Sequence, residues 1–68
     1  MATDMEELRL LLEYLVKHNR EHATELMDLA ARVKAQGYDK AYDHMEKGVD
    51  LLNGSNQSLQ EALEQLEE

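Results

Sequence analysis

From Leu8 onward the chain repeats Leu8, Leu12, Leu15, Asn19, His22, Leu26, Leu29 and Val33, in steps of four and three that alternate without a slip. Only a long α-helix places such positions along one side, because successive side chains turn by about 100°. The chain has no proline to break that helix. The spacing predicts a helix over about 4–36, about 50 Å long at 1.5 Å per residue. Leu11, His18 and Ala30 widen the stripe on one side. Thr3 and Glu6 fit a capping box at its start, and Asp4, Glu6 and Glu7 suit the positive end of its dipole.

Turn signals stand in two places. Gln36-Gly37-Tyr38-Asp39 offers glycine for a helix C-terminus and aspartate for the next N-cap. Asn53-Gly54-Ser55-Asn56 is the second. Between and beyond them the stripe returns as Ala41, Met45, Gly48, Leu52, Ser55, Leu59, Ala62 and Leu66. It keeps phase across Asn53–Asn56, so a continuous second helix over about 39–67 is the simpler expectation; a break near Gly54 gives a three-helix bundle instead. No window alternates like a strand. The predicted class is all-α: one domain spanning 1–68, an antiparallel two-helix hairpin.

Folding the helices about the turn pairs residues whose numbers sum to about 75. Leu26 is then expected against Val49, Leu15 near Leu59, and Leu8 and Leu12 against Leu63 and Leu66. The polar interruption His18-Asn19-His22 meets Asn53 to Gln57, which predicts a built polar layer between leucine layers. A single hairpin cannot cover this much leucine. Dimerisation into a four-helix bundle is expected, with an interface of Leu8, Leu11, Leu12, Leu15, Leu26, Leu29, Val33, Met45, Leu52, Leu59, Leu63 and Leu66.

Composition narrows the chemistry. Sixty-eight residues give a marginal core. There is no cysteine, hence no disulfide framework, thiol nucleophile or thiolate zinc site. The net charge is −8, a poor match for nucleic acid or anionic lipid. Most of it lies beyond Gly37, where eight acids face two bases. No apolar run exceeds three residues, so neither a membrane span nor a secretory leader is expected, and the cytoplasm is the default compartment.

Imidazole and carboxylate remain as metal ligands. His18 and His22, four apart, share one helix face and can clamp a divalent ion of the Zn, Ni, Co or Cu kind. Glu21 or Glu25 could add an oxygen, and Asn19, Asn53 and Asn56 could orient the rings. A dimer axis through the layer would supply four histidines. The alternative is a structural His/Asn layer that sets register and oligomer state. His18-Asn19-Arg20-Glu21-His22 also matches the inverted zinc-protease pattern, with Glu21 as base, but a short helical chain offers no cleft. His44 should stand several turns away on the surface, and no Glu-x-x-His spacing supports a diiron bundle. Met5, Met27 and Met45 read as core or interface filler. Tyr14 is expected to flank the seam, and Tyr38 and Tyr42 to pack at the hairpin tip.

His18-Asn19-Arg20-Glu21-His22-Ala23, with Asn56-Gln57-Ser58-Leu59-Gln60-Glu61-Ala62-Leu63-Glu64-Gln65-Leu66, resembles a small helical domain of unknown function. That domain carries a His-Asn-x-x-His-Ala signature and occurs near nickel-binding proteins of carbon-monoxide dehydrogenase maturation. The resemblance covers about Leu11 to Leu66, departs from the pattern at Gly54-Ser55 and lacks an aromatic near Asp28. It implies transition-metal handling through His18 and His22. Taken together, the expected function is a non-catalytic nickel- or zinc-binding module; the alternative is a homodimerisation or adaptor module with no ligand.

Overall fold

A computed structural model describes residues 4–66; the Thr3 cap lies outside them. Helix α1 runs Asp4–Ala35 and helix α2 runs Asp39–Leu66. They pack antiparallel as a hairpin 55 × 16 × 12 Å. The turn forms because Gly37 adopts a φ of +93°, which a Cβ-bearing residue resists. That lets Gly37 N–H donate to the Lys34 carbonyl at 2.9 Å and Tyr38 N–H to the Val33 carbonyl at 3.4 Å, the bond pair of a Schellman motif. Lys34 sits over the Tyr42 ring, 4.6 Å from its centroid. The Tyr42 hydroxyl donates to Glu46 at 3.1 Å, and that bond, with the carboxylate's charge, raises the phenol's pKa.

Helix α2 passes through Gly54 without a break; the three-helix alternative is not what the chain adopts. At Gly54 an added Cβ would meet nothing within 4 Å, as at Gly37. The two glycines therefore respond oppositely to alanine. Gly54→Ala should gain about 1 kcal/mol of helix propensity, while Gly37→Ala should lose about 1 kcal/mol or more to left-handed strain. Urea midpoints of the two variants, measured against the parent chain, check the pair of signs.

The seam departs from expectation. Its buried residues are Val16, Ala23 and Ala30 on α1 and Val49, Asn56 and Leu63 on α2, each set spaced by seven. The leucine stripe lies beside this line. Leu12, Val33, Met45, Leu52 and Leu66 are half-buried along its edge, while Leu8, Leu11, Leu15, Leu26, Leu29 and Leu59 are exposed. Of the expected seam pairs, Leu26 with Val49 and Leu15 with Leu59 therefore do not form the buried line. The physical reason is shape. Two helices in direct contact approach closest over small side chains such as Ala23 and Ala30, and a stripe wider than one seam is only partly used by one neighbour.

Candidate metal site and the leucine face

Within the seam, Asn56 is the one buried polar residue among those described, 5% exposed. Its Nδ2 donates to the Val16 carbonyl at 3.1 Å, and its Oδ1 accepts from Asn19 Nδ2 at 3.1 Å. The expected meeting of the Asn19 and Asn56 levels is thus made by hydrogen bonds. No buried side-chain nitrogen or oxygen among the described residues is left without a partner.

The histidines lie outside that layer. Moving round α1 from the seam, Leu12, Asn19, Leu26 and Val33 come first, then Leu8, Leu15, His22 and Leu29, then Leu11 and His18. His18 is half-buried and His22 exposed, so neither is inside a buried stripe as expected. Their Nε2 atoms face each other at 2.8 Å, with ring centroids 4.3 Å apart and planes at 85°. His22 Nδ1 stands 3.5 Å from Glu25 Oε2. A proton on that Nδ1 leaves a lone pair on Nε2, aimed at His18. Tyr14 stacks on His18 at 5.6 Å and 14°; its place four residues before His18 was the available sequence signal.

Two imidazole nitrogens bound to one ion stand about 2.8–3.0 Å apart at a right angle and about 3.3–3.4 Å apart in a tetrahedron, for metal–nitrogen bonds of about 2.0–2.1 Å. The observed 2.8 Å is closer to the first. Glu25 touches the far nitrogen of His22, so it orients the ring and does not complete a ligand set. Glu21 is exposed, away from the ring nitrogens. Asn56 is engaged in the seam. Asn53 lines an open groove with Arg20, Ala23, Thr24, Met27, Asp28 and Val49, on the opposite side of the hairpin. His44 is exposed on α2. Among the described residues no group of three or more His, Asp or Glu could hold an ion, so one chain offers two nitrogens.

These nitrogens sit midway along an apolar surface. Exposures of 55% at Leu8, 42% at Leu15 and 49% at Leu29 leave a leucine ridge on α1. On α2 the corresponding positions, beside Met45, Leu52, Leu59 and Leu66, hold the small residues Ala41, Gly48, Ser55 and Ala62. An antiparallel pair is related by a two-fold axis normal to its plane, so corresponding positions fall on one side of the hairpin. The ridge and this small-residue channel therefore share one face. The opposite face is polar, with Arg20 donating to Gln60 at 3.1 Å. No helix among the described residues is long and apolar enough to cross a membrane.

A family model described as a domain of unknown function, DUF8180, matches residues 8–66. No curated protein and no solved structure matches the chain.

Proposed function

The chain belongs to the DUF8180 family, and we propose that it serves as a non-catalytic transition-metal-binding module, taking nickel or zinc through His18 and His22. The observation that carries this reading is the pair of Nε2 atoms facing at 2.8 Å, a spacing one ion can span once the shared proton is displaced. Glu25 at His22 Nδ1 is the carboxylate partner that metal-binding imidazoles ordinarily have. Paired imidazoles suit nickel, zinc, cobalt or copper, and the resemblance of residues 18–23 to the domain found near nickel-binding proteins supports nickel. The module stores, senses or hands over the ion. Its cysteine-free, acidic composition suits the cytoplasm.

Titrating untagged protein with nickel or zinc should move the imidazole signals of His18 and His22 and leave His44 in place. Three unmoved histidines at saturating metal and neutral pH would refute metal binding.

A second reading is a homodimerisation or adaptor module that binds no ligand, favoured by the exposed leucine ridge. It predicts a solution mass of two chains. Leu15→Glu with Leu29→Glu should halve that mass while helix content persists, since both side chains lie outside the seam.

A further inference from the structure

The leucine ridge and the small-residue channel lie side by side, with the histidines near mid-length, and none of the described residues covers them. We infer that a second copy of this chain covers this face head to tail, its α1 crossing antiparallel over the first α1, so that one divalent transition-metal ion is held by His18 and His22 of both copies. This rests on the metal-binding reading of the same histidines.

Register is the first support. Pairing α1 with the second copy's α1 about the level of residue 20 sets His18 against the second copy's His22. Leu15 then meets Leu26, and Leu11 meets Leu29, so leucines lie on leucines on either side of the imidazoles. Residue 20 stands level with about residue 55 or 56 of α2, the height set by the hydrogen bonds of Asn56 to Val16 and Asn19 and of Arg20 to Gln60. About that second centre Leu52 of α2 meets the second copy's Leu59, leucine on leucine as on α1, while Gly48 meets Ala62 and Ser55 meets its counterpart. Both centres lie on one axis, which a closed two-fold dimer requires.

Charge is the second support, and it selects the direction. The first turn of α1 is acidic, with Asp4, Glu6 and Glu7, and its last turn basic, with Arg32 and Lys34. Head-to-tail pairing brings those acids beside the second copy's Arg32 and Lys34. The other two-fold arrangement, with its axis along the helices, stacks both open ends, adding Glu61 and Glu64 of each copy to the same acidic cluster. Like charges brought together disfavour that dimer.

The completed site has four imidazole nitrogens, a full shell for zinc and a square plane for nickel or copper. One chain alone cannot reach it, having two.

The native chain lacks cysteine, so Tyr38→Cys, at the exposed turn, takes a single spin label. Head-to-tail pairing places the two labels about the 55 Å length of the hairpin apart. Same-end pairing brings them to roughly the 10 Å spacing of adjacent helices. The expected result is the long distance, together with one nickel or zinc ion per two chains. A short distance, no inter-label distance at protein concentrations giving full metal loading, or one ion per chain would overturn the inference. A long distance with no metal bound discards the shared site and the metal-binding reading while leaving the pairing intact, so the two failures are told apart. Gly48→Gln supplies an independent variant: nothing within 4 Å obstructs a Cβ at Gly48 in the hairpin, yet the longer side chain fills the channel. It should retain helix content and abolish the inter-label distance; a retained long distance counts against this packing.

Discussion

Asn56→Ala is expected to cost about 2–3 kcal/mol, the larger part of the roughly 3–5 kcal/mol that a core this small supplies. Asn56 stands between Val49 and Leu63 on the α2 seam. The truncation removes two hydrogen bonds across the hairpin, to the Val16 carbonyl and from Asn19 Nδ2. It also leaves a void where an amide was packed. The Val16 carbonyl still has its own helix bond, and the half-buried Asn19 amide can turn to water, which keeps the cost below that of stranding a fully buried group. So few residues are buried that stability rests on a small core. The measurement is helix content against urea. Asn56→Leu is the control: it refills the seam, should be far milder, and should blur the register that the amide specifies. An Asn56→Ala chain as stable as the parent would show that the amide pair contributes nothing net.

The second large effect concerns the histidines. His18→Leu with His22→Leu is expected to lower affinity for nickel or zinc by at least about 100-fold, since losing outer-shell partners alone costs about 10–100-fold. The same change should raise the stability of the self-associated form. It makes the leucine ridge continuous across the level where His18 and His22 now interrupt it. A fully buried leucine contributes about 1.5–3 kcal/mol, and a dimer gains the substitution on both copies. Even partial burial predicts association tighter by about tenfold or more. Metal binding and association therefore move in opposite directions. Calorimetric titration and solution mass, read on one sample with and without chelator, separate them. Unaltered metal affinity in the double variant would remove His18 and His22 as ligands.

Helix identity, the turn at Gly37 and the continuity of α2 were legible because each follows from local rules. The four–three spacing needs a helix, the left-handed position needs glycine, and an unbroken phase across Gly54 argues against a kink. The pairing level of Asn19 with Asn56 was legible too, since turn length sets which heights meet. The seam itself was not. Hydropathy ranks Leu8, Leu15 and Leu29 above Ala23 and Ala30, whereas close helix contact ranks them the other way, and hydropathy carries no information on interaxial distance. For the same reason the histidines were expected inside a buried stripe and stand on a surface. Their facing geometry, the Glu25 contact and the Tyr14 stacking are side-chain arrangements that an i, i+3 and i, i+4 spacing permits without dictating.

By itself, then, the sequence determined two long helices, one glycine turn and an apolar stripe too wide for a single partner, because these depend on backbone propensity and periodicity within each segment. Only the tertiary structure decided which edge of that stripe is buried. The choice depends on how closely two particular surfaces can approach, and here two alanines, two valines, Leu63 and a twice hydrogen-bonded asparagine fill the seam, leaving most of the leucines and the two imidazoles on the open face.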